Sequence, residues 1–255
     1  MRNSIIKFCL YLSILIATFS FANELNEIES ESSKIYISDK SKSLYENIIE
    51  VDLNKNEKLF KKSLQTKLKN VNEINHYLEN VYEINKNTLL FLITSNTRDN
   101  SCHVCIPKMS WYKLKLENNK WNIKSKILSV EPHDGSWGSF PIPEMIFIGK
   151  DKIAFKYISS YGGQGVMETH LEIVELDNIN FKFNSILSLD YGFSDSGVYE
   201  ENEEHNNWEG SIFIVKKDKP YYDILIAKKG KKDMKKYEEN KIYKYQNGKY
   251  IIDKD

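Results

Sequence analysis

The sequence predicts a mainly β protein (α+β) in which an N-terminal helical segment packs on an antiparallel sheet. From residue 88 onward, apolar and polar residues alternate with the two-residue period of half-buried strands. The gaps between strand candidates are short, and strands joined by tight turns pair antiparallel because a parallel crossover needs about a dozen residues. We therefore expect a β meander forming a sandwich or curved sheet. A propeller is less favoured, since the recurring turn–lysine–aromatic pattern is unevenly spaced.

The first 22 residues have the layout of a secretory signal peptide. Arg2 and Lys7 form a basic start, an uncharged apolar stretch follows, and Ser20 and Ala22 provide the small residues of a cleavage site. The apolar stretch is shorter than the roughly 20 residues that a spanning helix needs, which favours cleavage over a retained membrane anchor. The predicted location is periplasmic or secreted, with no membrane insertion after cleavage.

The rest of the chain is predicted to form a flexible polar leader and one folded domain. Residues 23–43 are rich in Glu and Ser and predict the leader. Residues 44–255 predict a single domain, because no break in composition divides them. Within that domain, residues 44–87 are expected to form a helical cap and residues 88–255 an antiparallel β-sheet region.

Three apolar stripes in the N-terminal part repeat at three- and four-residue intervals, which indicates amphipathic helices. The stripes are Leu44, Tyr45, Ile48 and Ile49; Phe60, Leu64, Leu68 and Val71; and Ile74, Tyr77, Leu78, Val81 and Tyr82. We expect each stripe to face the core of the domain.

Strands are predicted along the remainder of the chain, linked by short turns. They cover residues 89–94, 112–116, 121–127, 145–148, 152–159, 167–176, 181–189, 211–215, 221–227, 241–245 and 250–252. Residues 117–120 and 247–248 contain Asn, which tolerates positive φ and favours tight turns. The glycines between Tyr161 and Gly165 predict a hairpin rather than a phosphate-binding loop, because a strand and not a helix follows them.

The charge balance argues against nucleic acid as a partner. Loss of Arg2 and Lys7 with the signal peptide would leave two more acidic than basic residues, so no global field attracts a polyanion. Lysine is used heavily throughout the chain, which favours a solvated loop for the lysine-rich residues 228–236. The acidic residues 195–209 are likewise interpreted as a solvated loop, since they lack the spacing of a calcium loop.

The segment Cys102-His103-Val104-Cys105 is the sharpest local motif. Two cysteines three positions apart are expected to pair as a structural disulfide in an oxidising compartment. The alternative is a periplasmic thiol–disulfide oxidoreductase, with Cys102 attacking, Cys105 resolving and His103 raising the reactivity. That chemistry needs a helix after the motif, and the sequence predicts a strand there. Neighbouring residues seldom reach one ion, so no metal and no cofactor is expected.

Residues 131–141 form a Pro- and Gly-rich segment that includes Trp137 and is interpreted as a rigid packed turn. His133, Asp134 and Ser136 leave open the alternative that the protein is a hydrolase. Three neighbours on one turn seldom converge into a nucleophile–base–orienter set, however, and no nucleophile-elbow motif occurs in the sequence.

Trp137, Tyr161 and Trp208 are predicted to lie in connections between strands and to contact a partner. Loops on a rigid scaffold are the usual location of binding surfaces, and aromatic side chains beside small polar residues suit a glycan or a peptide. The sequence therefore favours a non-enzymatic binding or interaction module of the cell envelope, with an envelope glycan or a peptide or protein as partner.

Overall fold

The computed structural model describes residues 25–30, 33–48, 52–53, 74–97, 105–130, 139–200 and 203–253, with side chains from residue 42 onward. The predicted signal peptide, the predicted helix around Leu64 and the segment holding Trp137 lie outside these residues. The chain divides into two compact units. One comprises Met1–Ser101 and Pro107–Glu131, and the other comprises Cys102–Ile106 and Pro132–Asp255.

The prediction of a mainly β fold is confirmed, with one short α-helix on the N-terminal side. The elements of the first unit are β1 (Leu25–Ser30), β2 (Ser33–Ser38), α1 (Asp39–Ile48), β3 (Ile74–Asn85), β4 (Thr88–Thr97), β5 (Lys108–Glu117) and β6 (Lys120–Val130). Strands β1 and β2 form a hairpin within the predicted polar leader, and β3 to β6 form a four-stranded sheet in chain order. Among the described residues, no helix combines the length and apolarity that crossing a membrane requires.

Helix α1 packs on the four-stranded sheet, as predicted for an N-terminal helical segment. Tyr45 and Ile48 project from the helix into a cluster of buried side chains, joined by Leu53 just beyond it. The sheet residues of this cluster are Leu78, Phe91, Ile93, Tyr112 and Leu114. Burying an aliphatic or aromatic side chain of this size contributes about 1.5–3 kcal/mol, so the cluster holds the helix on the sheet.

The predicted helix over residues 74–82 is wrong, because these residues form most of β3. Leu78 lies opposite Ile93 and Val81 lies opposite Phe91, with a register shift at Glu79 between them. A bulge of this kind inserts one residue, so Leu78 and Val81 share one face of the sheet although they are three positions apart. That three-residue spacing resembles the period of a helix.

Glu79, at this bulge, is a partly buried carboxyl group. The Thr94 hydroxyl donates a hydrogen bond to its Oε1 atom. Burial is the larger influence and raises the pKa of Glu79 above its ordinary value, although the Thr94 hydrogen bond opposes the shift. The ionised side chain is therefore less favourable in the folded state than in the unfolded state.

We expect Glu79→Gln to remove part of the pH dependence of folding. Because the folded-state pKa is raised, the contribution of Glu79 is fully present below its unfolded pKa and is lost as pH rises through the folded pKa. Glutamine keeps an acceptor for Thr94 but does not ionise. Urea unfolding between pH 4 and pH 8, a window spanning the usual carboxyl range, should show the variant gaining stability relative to the native chain as pH rises. An equal difference at both ends of the window would contradict this assignment.

The second unit contains an eight-stranded antiparallel sheet whose strands lie in chain order. Its strands are β7 (Glu144–Gly149), β8 (Lys152–Gly163), β9 (Val166–Asp177), β10 (Lys182–Ser194), β11 (Asn207–Val215), β12 (Asp223–Lys232), β13 (Lys235–Gln246) and β14 (Lys249–Ile252). The turn at 247–248 and the hairpin at Gln164-Gly165 are confirmed, with positive φ at both residues of each turn. Both turns have Gly at the second position, and the turn at 247–248 is the Asn-Gly pair that such two-residue turns favour.

This sheet folds over at the junction of β10 and β11. The two strands pair at only three positions, from Gly192 opposite Glu209 to Ser194 opposite Asn207. The β11–β14 half then lies over the β7–β10 half, and β14 contacts β10 although three strands separate them in the sheet. The core between the halves comprises Ile148, Ala154, Leu171, Ile173, Ile186, Leu187, Tyr191, Ile224, Ile226, Tyr243 and Tyr250.

Polar contacts tie the two halves together around buried Glu175 of β9. The hydroxyl groups of Tyr221 and Tyr245 donate to its carboxylate at 2.7 and 3.4 Å, and the Lys152 ammonium lies 3.7 Å away. The two tyrosine rings stack with centroids 3.5 Å apart. Burial is the main cause that raises the pKa of Tyr221, so its hydroxyl keeps its proton and donates.

The lysine-rich residues 228–236 are not the predicted solvated loop. They form the outer ends of β12 and β13, with Asp233 and Met234 as the turn between them. Lys228 lies opposite Glu239 and Lys229 lies opposite Glu238. Opposite charges placed directly across a strand pair stabilise it at these two positions. Like charges meet nearer the turn, where Lys231 lies opposite Lys236 and Lys232 lies opposite Lys235.

Candidate ligand-binding face

Four aromatic residues of the second unit are aligned across the sheet by the strand register. The cross-strand partners form the series Tyr161, Glu168, Phe193, Trp208, Gly230 and Tyr237, each opposite the next. We call the aromatic members of this series, Tyr161, Phe193, Trp208 and Tyr237, the aromatic row. It crosses six strands, a path of about 24 Å along the sheet at about 4.8 Å per strand.

The structure brings two of the predicted binding residues to the same level, but it does not place them in connections. Tyr161 belongs to β8 and Trp208 to β11, so the prediction that both lie between strands is wrong. Strand β8 continues past its predicted end at residue 159, and strand β11 begins before its predicted start at residue 211, because both strands remain paired with their neighbours there. Tyr161 has 56% of its surface exposed, and Trp137 lies outside the described residues.

Gly230 brings Trp208 and Tyr237 into contact. It lies between them in the register, and its missing side chain leaves the two rings edge to face with centroids 5.7 Å apart. A Cβ atom at Gly230 would lie 2.1 Å from the Asn207 carbonyl oxygen and 2.6 Å from Cα of Trp208. The φ angle of +145° is also one that other residues rarely adopt, so glycine is required here.

Two lysine ammonium groups lie over these rings. Nζ of Lys228 is 4.9 Å from the centroid of Trp208, and Nζ of Lys232 is 5.4 Å from that of Tyr237. Both distances lie within the range of cation–π attraction, which is about 0.5–1 kcal/mol at exposed sites. The rings and ammonium groups therefore lie together on one surface.

Two hollows adjoin Trp208. One of about 530 Å³ is lined by Asn207, Trp208, Glu209, Lys229, Gly230, Lys236, Tyr237 and Glu238. The other, of about 300 Å³, is lined by Ile158, Met167, Thr169, Tyr191, Gly192, Phe193, Ser194, Asn207, Trp208, Glu209 and Gly210. Trp208 therefore borders one hollow in which four of the eight lining residues are charged and a second hollow lined mainly by apolar residues.

Loops beside the row are fixed by hydrogen bonds. The Asn206 backbone N–H and side-chain amide donate to the two carboxylate oxygens of Asp195 at 2.7 and 2.8 Å. The Met234 N–H donates to Asn206 Oδ1 at 3.0 Å, and the Gly197 N–H donates to the Gly165 carbonyl oxygen at 3.0 Å. Three connections at this end are thus bonded to one another, which limits their movement around the row.

Sequence reasoning missed Phe193 and Tyr237. The signal for Tyr237 is Gly230 within the lysine run, because an isolated glycine in a strand marks a close approach of neighbouring groups. Phe193 could be found only from the register of β10, which a bulge near Asp190 shifts. Residue order in the sequence does not reveal such a shift.

The cysteine motif lies partly outside the described residues. Cys105 is half-buried, and strand β5 begins three residues after it. The helix that thiol–disulfide exchange requires does not follow Cys105 within the described residues 105–130. Cys102 and His103 are not described, so the structural disulfide stays a prediction. The hydrolase residues His133 and Asp134 also lie outside the described part of the chain.

Among the described residues, the acidic side chains around the row do not form a metal centre. No group of three or more His, Cys, Asp or Glu residues in the described ranges is arranged to hold a metal ion. The buried carboxylate of Asp195 is used within the loop by Asn206. Its contacts indicate a structural role for this carboxylate.

No protein-family model matches the chain, and neither a curated protein nor a solved structure matches it. The functional proposal therefore rests on the residues of this chain.

Proposed function

We propose that the protein is a secreted or periplasmic, non-enzymatic binding module whose ligand is a glycan of the cell envelope. The observation that carries the proposal is the position of Trp208, which borders two hollows and contacts Tyr237 within the aromatic row. The location comes from the signal peptide predicted in residues 1–22.

A glycan fits this face better than a peptide does. Aromatic rings present flat apolar surfaces, and the hollow beside Trp208 and Tyr237 is bordered by charged groups that bond to hydroxyls. Glu209 and Glu238 accept hydrogen bonds, and Lys229 and Lys236 donate them. Alternating ring contacts and hydroxyl contacts are the requirements of a sugar chain.

Trp208→Ala should weaken glycan binding about thirtyfold, which corresponds to about 2 kcal/mol. The variant truncates Trp208, the aromatic residue that lines both hollows. Affinity electrophoresis of the chain from Asn23 in gels containing soluble peptidoglycan fragments or chitooligosaccharides measures the effect. The matched control is Phe213→Ala, because Phe213 is an aromatic residue on the same strand with 52% of its surface exposed and lies outside both hollows.

The proposal requires at least one of these glycans to retard the native chain. It also requires Phe213→Ala to migrate like the native chain and Trp208→Ala to lose the retardation while circular dichroism shows an intact sheet. Equal retardation of both variants would place the binding elsewhere and refute the proposed site.

A further inference from the structure

The charge of the surface beside the aromatic row is uneven. Residues 228–241, which we call the basic hairpin, carry seven lysines and three carboxylates. This segment comprises the outer ends of β12 and β13, and it supplies Lys229, Gly230, Lys236, Tyr237 and Glu238 to the larger hollow. The local excess of lysine contrasts with the formal net charge of zero for the whole chain.

Carboxylates already neutralise part of this positive charge. The ion pairs are Lys229 with Glu209 at 4.0 Å, Lys231 with Glu204 at 3.2 Å, Lys236 with Glu238 at 3.5 Å and Lys241 with Glu239 at 2.7 Å. Lys228 and Lys232 instead have their ammonium groups over the rings of Trp208 and Tyr237. They are therefore the lysines positioned to meet a ligand that lies on those rings.

Lys228 is also partly removed from water. Burial is the first cause that lowers the pKa of Lys228, and it is opposed by the carboxylates of Glu239 and Asp190. A partly desolvated ammonium gains more from an added anion than a fully hydrated one does, since screening by water is reduced. A ligand with negative groups would thus offset the free-energy cost of burying the charged Lys228 side chain.

We propose that the ligand of this face is an acidic glycan, a sugar chain bearing carboxylate or phosphate groups. Its sugar rings contact Trp208 and Tyr237 beside the ammonium groups that lie over these rings, and its acidic groups pair with the ammonium groups of Lys228 and Lys232. The inference rests on the proposed function and adds the charge of the ligand to it. The two lysines then select acidic sugars, while the aromatic rings bind acidic and neutral sugars alike.

Single-stranded nucleic acid also uses stacked aromatic rings and lysines, but the larger hollow favours a glycan. Glu209 and Glu238 border it beside Lys229 and Lys236. Carboxylates there accept hydrogen bonds from sugar hydroxyls, whereas they repel a polymer with a phosphate at every unit. A sugar chain whose charges are spaced more widely satisfies both kinds of side chain.

The test compares a double variant, Lys228→Gln with Lys232→Gln, with the double control Lys216→Gln with Lys249→Gln. The control removes the same charge from exposed lysines of the second unit outside both hollows. The probes are a hyaluronan oligosaccharide with a carboxylate on every second sugar, a phosphomannan oligosaccharide for phosphates, a neutral chitooligosaccharide and oligo(dT). Calorimetric titration of the chain from Asn23 gives each dissociation constant.

The inference predicts that the native chain binds an acidic probe about tenfold more tightly than the neutral one. The Lys228 and Lys232 double variant should lose about that factor on the acidic probe and keep its affinity for the neutral one, with the control double variant unchanged. The acidic probe that binds more tightly identifies carboxylate or phosphate as the preferred group.

Three results would overturn the inference. Equal affinity of the native chain for acidic and neutral sugars would remove the charge selectivity, and the proposed function would survive if Trp208→Ala still abolished binding. An equal loss in the control double variant would mean that general charge, not these two lysines, acts on the ligand. Tighter binding of oligo(dT) than of any sugar would overturn both proposals.

Discussion

Glu175→Leu should destabilise the second unit by about 3 kcal/mol. Leucine fills a similar volume, but it leaves the hydroxyls of Tyr221 and Tyr245 without their buried acceptor and removes the anion beside Lys152. Because the two tyrosine hydrogen bonds join the two halves of the folded sheet, their loss should weaken the packing of one half on the other. Equilibrium urea unfolding, followed by tyrosine and tryptophan fluorescence, measures the change.

The matched control for this prediction is Glu168→Leu. Glu168 lies on the same strand but is exposed, so its replacement should change the free energy of unfolding by no more than about 0.5 kcal/mol. An equal effect of the two substitutions would mean that Glu175 does not hold the halves together. Glu175→Gln, which keeps an acceptor but no charge, should fall between the two.

Gly230→Ala should also cost about 3 kcal/mol and should displace Trp208. The new Cβ atom would lie 2.1 Å from the Asn207 carbonyl oxygen, a backbone atom that β11 can move only by breaking its pairing with β12. Separation of those strands would also part the rings of Trp208 and Tyr237. Thermal unfolding reports the stability, and the near-ultraviolet circular dichroism of the aromatic rings reports the local change.

Gly248→Ala separates the steric clash from the backbone strain. Gly248 also has a positive φ, +85°, but a Cβ atom there meets nothing within 4 Å. Its replacement should therefore cost only the strain, about 1 kcal/mol, and leave the aromatic signal unchanged. If both glycine variants behaved alike, contact between the β11 backbone and residue 230 would not be the reason for glycine at that position.

Much of the fold could be predicted from the sequence, because alternation and turn residues act locally. The strand predicted at residues 250–252 and the turn at 247–248 are examples, since Asn-Gly favours positive φ without help from distant residues. The strand β3 could not be predicted, because a bulge at Glu79 gives its apolar residues a helical spacing. The bulge exists only in the pairing of β3 with β4, and the sequence of β3 alone does not reveal that pairing.

The sequence predicts that aromatic residues form the candidate site, but it does not predict where in the fold they lie. Tyr161 and Trp208 can be picked out from the sequence because they are aromatic residues among polar neighbours. The strand register then aligns them across the sheet. Tyr237 directly follows the lysine-rich residues 228–236, whose composition suggests a loop. Its contact with Trp208 depends on Gly230 lying between them in a third strand, which is a tertiary relation.

The most direct test of the central claim is a map of amide chemical-shift changes while the isotope-labelled chain from Asn23 is titrated with soluble peptidoglycan fragments and a hyaluronan oligosaccharide. The account predicts that the changes cluster at Asn207–Glu209, Lys229–Lys231 and Lys236–Glu238, around the larger hollow. Changes centred instead on the opposite end of the unit, around Lys150, Lys219 and Tyr222, or no changes with either probe, would contradict it.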